Sequence, residues 1–254
     1  MYNAPVGHPP ATAISAEHLS KRFGALTVVE DLSFSVAPGE IVGFLGPNGA
    51  GKTTTLGMLL GLLLPTHGRV WVLGMPMPEE RQRILARVNF TSPYVALPGN
   101  LTVHENLTVF AHLYGVRRAR PWIDGLLERF GLTKLADRPA GRLSSGESTR
   151  LGLVKALLND PAVLFLDEPT ASLDPDAAEH VRQILRDIRA ERGVTIFYTS
   201  HNMQEVERLS DRILFLHQGR LIAEGPPREV LRRFDTDTLE HMFLDLARQE
   251  ASSW

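Results

Sequence analysis

Ile41-Val-Gly-Phe-Leu45, running straight into Gly46-Pro-Asn-Gly-Ala-Gly-Lys-Thr53, is the stretch from which the rest of this chain can be read. Five apolar residues are the length of a buried strand, and the run ends abruptly in glycines. From Lys52 to Leu63 the apolar residues come too densely for a surface helix. That density predicts a helix buried on most sides and ended by Pro65 and Gly68. Strand, loop and helix therefore frame a GxxxxGK(S/T) pattern. Its glycines let backbone N–H groups turn inward around phosphate oxygens, and the helix beginning near Lys52 aims its positive dipole end at the same anion. Lys52 adds a mobile charge and Thr53 a hydroxyl suited to Mg2+. By average composition the four specified positions arise by chance in roughly 1% of chains this long, before the flanking strand and helix are demanded.

Outward from this loop, β-type patterns cover Ile14 to Phe23, Leu32 to Val36 and Arg69 to Leu73. Between about Pro93 and Gly141 the pattern is helical, with Thr102 and Glu105 spaced as a capping box ahead of Val109 and Leu113. Ser144 and Glu147 repeat that spacing before a helix carrying Leu151, Val154, Leu157 and Leu158. Strand and helix then alternate: 162–166, a helix begun by Asp174 and Pro175, 194–200, a short helix near Val206, and 213–216. A turn at 217–220 leads to Leu221 to Ala223. The alternation predicts an α/β fold, a mostly parallel sheet with helices on its faces.

Leu164-Phe-Leu-Asp-Glu-Pro-Thr170 ends an apolar strand with two adjacent carboxylates. Ligands of parallel sheets bind at the carboxyl ends of the strands, so Asp167 and Glu168 can approach the phosphate loop. Asp167 suits a magnesium shell, directly or through water. Glu168 is the candidate general base for a water attacking in line with a terminal phosphoryl group. Alone, the pair would equally suit an acidic strand end before a Pro turn.

Composition closes off other chemistries. Hydrophobic residues make up 43% and charged residues 22%, so a packed globular fold is expected. The 27 Lys and Arg against 29 Asp and Glu leave a net charge of -2, which disfavours a nucleic-acid partner. The absence of cysteine excludes disulfides, thiolate zinc sites and a Cys nucleophile, and nine scattered histidines give no zincin-like pair. The first residues lack the basic flank and apolar run of a secretory signal, which predicts a cytoplasmic chain. Leu56 to Pro65, the longest strongly apolar stretch, is half the length of a spanning helix, about 20 residues.

Gly46 to Thr53, Leu143 to Glu147 (LSSGE), Leu164 to Thr170, Ser172 to Asp174 and Thr199 to His201 stand in the order and spacing of an ATP-binding-cassette ATPase. Over about residues 14–230 the chain resembles the nucleotide-binding subunit of an ABC transporter. The resemblance implies the P-loop ABC ATPase fold, with a small antiparallel β subdomain and an inserted helical subdomain at about 94–157. A flexible segment before residue 14 and a helical tail over 231–254 complete the division. It implies ATP and Mg2+ as ligands, with Gly46, Pro47, Asn48, Gly49, Ala50, Gly51, Lys52, Thr53 and Thr54 on the nucleotide and Thr53 and Asp167 on the metal.

Catalysis falls by the same resemblance to Glu168, Lys52 and a switch histidine, His201. Phe23 stands where an aromatic stacks on adenine, though a lone Phe also suits a core. Ser144, Ser145, Gly146 and Glu147 match the family signature that meets the γ-phosphate on an opposite subunit, while also satisfying an ordinary capping box. Asp174 matches the loop between two ATP sites and is equally a good helix start. One departure stands out: the segment 88–107 holds no glutamine where the family usually has one, and Pro93 is at the nearest position. The Arg117, Arg118 and Arg120 cluster is a solvated basic face or part of a docking region. Leu239, Met242, Phe243 and Leu246 are spaced as an amphipathic helix packed on the domain or on a partner.

The tail resembles the ABC-2 type exporters. The expected assembly is a homodimer, or a heterodimer with a related chain, closing around two MgATP at the cytoplasmic face of a membrane and coupled to a separate multi-span permease. Alternatives are a soluble ABC ATPase with another partner, or a nonhydrolytic signalling subunit.

Overall fold

The computed structural model describes residues 12–92 and 96–243. Its first half runs β1 (Ile14–Phe23), β2 (Leu26–Val36), β3 (Ile41–Leu45), α1 (Lys52–Leu59), β4 (His67–Val72), β5 (Met75–Met77), α2 (Arg81–Leu85) and β6 (Val88–Thr91). Then come α3 (Val103–Leu113), α4 (Ala119–Arg129), two 3-10 turns and α5 (Ser145–Leu157). The chain continues with β7 (Val163–Asp167), α6 (Pro175–Arg192), β8 (Thr195–Ser200), α7 (Met203–Leu209), β9 (Arg212–His217), β10 (Arg220–Gly225) and α8 (Pro227–Arg233).

The strands form a six-stranded sheet ordered β10-β9-β3-β8-β7-β6 and a four-stranded sheet ordered β2-β1-β4-β5. The first is parallel except for β10 and the second is antiparallel throughout, matching the expected fold class. All residues of β3, β7 and β8 are buried, which is why they read as continuous apolar runs rather than alternating ones. Successive side chains nevertheless go to opposite faces. Phe44, Phe165, Phe197 and Leu214 enter a core shared with the antiparallel sheet and α1. Leu45, Leu164, Leu166, Ile196, Tyr198 and Phe215 enter a second core under α3 to α7. Phe197 sits at the centre of the first, with ring centroids 5.9, 5.3 and 6.0 Å from Phe34, Phe44 and Phe165.

Three expectations are corrected. The helix after the glycine loop ends at Leu59 rather than Leu63, because Gly61 turns left-handed at φ 64° and Leu62 and Leu63 both fold back onto the Gly57 carbonyl. The strand expected to reach Leu73 stops at Val72, since Leu73 and Gly74 take φ of 54° and 70° and turn the chain into β5. The second strand starts at Leu26, not Leu32, its first half being too exposed to show an apolar pattern. Strands β5 and β6 and helices α2 and α8, all short, left no periodic trace.

Both predicted capping boxes form: Thr102 Oγ1 accepts from Glu105 N at 3.1 Å and Ser144 Oγ from Glu147 N at 3.2 Å. Leu239 and Met242 are buried in the second core, and the Phe243 ring lies tilted against that of Phe215, with centroids 6.5 Å apart. Leu246 lies outside the described residues.

Candidate active site

The glycine loop hangs from the end of β3 and feeds α1, whose N-terminal cap is Gly51 in the left-handed region at φ 104° with no side-chain cap. The first backbone N–H groups of α1 are thus left for an external acceptor. Glycine is required here by crowding as well as by φ. A Cβ on Gly46 would overlap the Leu216 carbonyl oxygen, and one on Gly51 would come 2.7 Å from the Val28 carbonyl oxygen. The loop is pinned from within by Ala50 N donating to Pro47 O at 3.2 Å, and from outside by Gly219 N donating to Ala50 O at 3.0 Å. Lys52 Nζ donates to the Gly46 and Pro47 carbonyls at 2.6 and 3.0 Å. Burial pushes the Lys52 ammonium below the ordinary lysine range, while the charges of Glu168 and Asp167 push it back up. Asn48, Gly49 and Thr53 are exposed, and Pro47 and Thr54 half-buried, around the same loop.

In the six-stranded sheet β8 lies between β3 and β7, so residues just past the ends of all three strands stand side by side. Leu45 is in register with Ser200, and Thr199 with Asp167. Asp167 is buried, its Oδ1 accepting from Thr199 Oγ1 at 2.6 Å and its Oδ2 from Ser92 Oγ at 3.2 Å. Glu168, at φ 50°, leaves the strand sharply and donates its N–H to Thr199 O at 3.1 Å. This turn brings Glu168 Oε2 within 2.8 Å of His201 Nδ1. The structure therefore gathers Lys52, Asp167, Glu168 and His201, four of the residues the sequence points to, beyond the carboxyl ends of the central strands β3, β8 and β7.

The other expected site residues lie further out. Phe23 is 48% exposed at the tip of the β1-β2 hairpin, beneath the Lys21 ammonium at 5.0 Å from the ring centroid. The hairpin adjoins the glycine loop through Val28, and indirectly through the β9-β10 turn, where Gly219 O accepts from Glu30 N at 2.8 Å while Gly219 N donates to Ala50 O. Ser144 and Ser145 are exposed at the start of α5, with Gly146 behind them against Leu173 and Ser172. The Glu147 carboxyl is held below its usual range by the Ser144 N–H, which donates to it at 2.7 Å. Asp174 caps α6, its Oδ1 accepting from Ala177 N at 2.9 Å. Pro93, nearest to the position where the family usually has a glutamine, is outside the described residues.

Thr199 and Ser92, the two hydroxyls that orient Asp167, were not singled out as site residues. Thr199 opens the Thr199 to His201 motif and Ser92 precedes Pro93 in the segment without a glutamine, but neither spacing shows that its hydroxyl turns to Asp167. Among the described residues no cluster of three or more acidic, His or Cys side chains could hold a metal by itself. No helix among them is long and apolar enough to cross a membrane.

A parallel sheet with a glycine loop after β3 and a carboxylate pair after β7 defines a P-loop nucleotide-binding cassette. An ABC transporter model matches residues 29–171. The chain is 45% identical over 224 residues to Nod factor export ATP-binding protein I of Paraburkholderia xenovorans, covering 87% of this chain and 73% of that one. It is 46% identical over 220 residues to the protein of the same name in Burkholderia orbicola, covering 86% and 72%. Among solved structures, an ATP-binding subunit of an ABC transporter superposes with a TM-score of 0.85 at 28% identity, covering 93% of this chain and all of that one. A bacterial ABC transporter cassette solved as a dimer gives 0.77 at 25% identity, covering 84% and 98%. The chain belongs to the ABC transporter family, as an ATP-binding subunit that hydrolyses ATP to drive transport.

Proposed function

We propose that this subunit powers export, with two copies, or one copy and a related chain, closing around two ATP molecules and moving separate multi-span membrane subunits from the cytoplasmic face. The observation that carries the reading is the convergence of Lys52, Asp167, Glu168 and His201 at the ends of three neighbouring strands. Export is supported by the names of the relatives, and pairing by the dimeric cassette.

In this mechanism the phosphates of ATP replace the Gly46 and Pro47 carbonyls as partners of Lys52 Nζ, and the free N–H groups of the loop and of α1 bind the same oxygens. Phe23 meets the adenine, and Thr54 completes the loop contacts. The residues suit Mg2+, which prefers a few hard oxygens and keeps several waters. Thr53 offers an exposed hydroxyl, and Asp167 a carboxylate whose two oxygens are already oriented by hydroxyl donors. Thr53 and Asp167 would hold the ion, which would offset charge on the phosphates. Glu168 takes the proton of the attacking water, and His201, paired with Glu168, holds the terminal phosphate and that water in place. Ser144, Ser145, Gly146 and Glu147 at the start of α5 present a helix N-terminus to the γ-phosphate of the opposite subunit, and Asp174 lies between the two sites.

The test is to tag the chain in its native cell, isolate it from gently solubilised membranes and identify its companions. A stoichiometric multi-span membrane protein is expected. Recovery with ribosomes or nucleic-acid proteins instead would contradict the transport role.

A further inference from the structure

One buried carboxyl takes no part in the scheme above. Glu205, on α7 four residues after His201, is 3% exposed. Its Oε2 accepts from Ser200 Oγ at 3.1 Å. Ser200 Oγ in turn accepts from Asn202 N at 3.0 Å, and Asn202 Oδ1 accepts from Glu205 N at 3.1 Å. Ser200, Asn202 and Glu205 thus close a ring of hydrogen bonds around the turn whose outer residue is His201. Glu205, Thr170, Glu168 and His201 line one cavity of about 290 Å³.

The ring answers a mechanical need. The His201 side chain is 61% exposed, and a surface pair such as His201 with Glu168 cannot by itself hold a turn in one geometry. We propose that Glu205 is a positioning residue for hydrolysis, fixing through Ser200 and Asn202 the turn that presents His201 to Glu168. The proposal rests on the roles given above to those two residues. Burial pushes the Glu205 carboxyl up, and the charge of Glu168 pushes the same way, against the hydroxyls of Thr170 and Ser200 and the charge of Arg182. Arg182 is itself engaged by Glu179 at 2.7 Å. What Ser200 needs from Glu205 is an acceptor at the right reach, and a neutral amide of the same length supplies one without a buried charge.

The experiment compares ATP turnover, KM, nucleotide affinity by fluorescence titration and thermal stability for the full chain and its variants. Glu205→Gln should stay within about twofold of the native kcat. Glu205→Ala and Ser200→Ala should each lose roughly tenfold in kcat, with KM and affinity moving by less than about twofold, and the double variant should lose no more than the worse single one. Ser200→Ala keeps the test alive should Glu205→Ala fail to fold. The proposal is overturned if Glu205→Gln is as slow as Glu205→Ala, if affinity falls in step with kcat, or if the two losses add. Glu168→Gln in the same assay tests the underlying assignment alone. Native turnover there would remove the base from Glu168 while leaving the Glu205 pattern to be judged on its own.

Discussion

The two halves of the nucleotide site are assembled over very different lengths of chain. In the phosphate loop, Lys52 bonds carbonyls five and six residues away, and Ala50 bonds Pro47. At the hydrolytic end, Asp167 is oriented by Thr199, 32 residues away, and by Ser92, 75 residues away. The first half makes its own polar contacts locally, through glycines and a helix start, although the loop is seated against Val28, Leu216 and Gly219 from distant strands and turns. The second exists only once β6, β7 and β8 have paired. A binding device can thus be carried by one short motif, whereas the groups that handle a water need a sheet to align them.

The sharpest way to break this contrast is within the loop. Gly46→Ala sets a Cβ against the Leu216 carbonyl, on backbone that cannot retreat, and should destabilise the fold by about 3 kcal/mol or more. Gly49→Ala has no atom within 4 Å of the new Cβ and bears only the strain of φ 80°, so it should cost about 1–2 kcal/mol. Denaturant unfolding of the two variants checks the order. Equal losses would mean that crowding against β9 does not shape the loop.

At the other end, Thr199→Val removes the donor to Asp167 Oδ1 and keeps the strand's shape. The expected cost is about 1–3 kcal/mol, since a buried acceptor loses its partner. Turnover should fall with it while ATP affinity stays near native. An affinity loss as large as the turnover loss would show that the two halves are not separable.

The smallest effect concerns α5. Ser144→Ala removes one side of a capping box and should cost about 1 kcal/mol in the isolated chain, without weakening ATP binding by the monomer. Turnover by the assembled dimer should fall far more than this. If monomer binding weakens equally, the segment does not act across subunits.

The same contrast governs how much could be read from the sequence. The loop from Gly46 to Thr53, the two capping boxes and the buried strands β3, β7 and β8 signal through spacing of neighbours, and all were legible. Glu168 and His201 each stood in a motif, but their pairing was not legible; the 2.8 Å contact follows from sheet order, which spacing does not encode. Ser92 stands in the segment where a glutamine is missing, but its bond to Asp167 was not legible, because a single Ser after the short strand β6 has no periodic context. Glu205 reads as one polar residue of a short helix, and its burial becomes visible only when α7 packs on β3 and β8. The early stop of α1 hinged on Gly61 taking a left-handed φ inside an apolar run.

One half of the site binds and the other hydrolyses. ATP affinity and phosphate release, measured on the same preparations of Lys52→Ala and Glu168→Gln, separate the two. Lys52→Ala should lose useful ATP binding, because the phosphates forfeit a charge-assisted contact. Glu168→Gln should bind ATP within about twofold of the native affinity while releasing phosphate about 10²–10⁴-fold more slowly. Native rates of phosphate release by Glu168→Gln, or unchanged affinity in Lys52→Ala, would show that the site is not divided in this way.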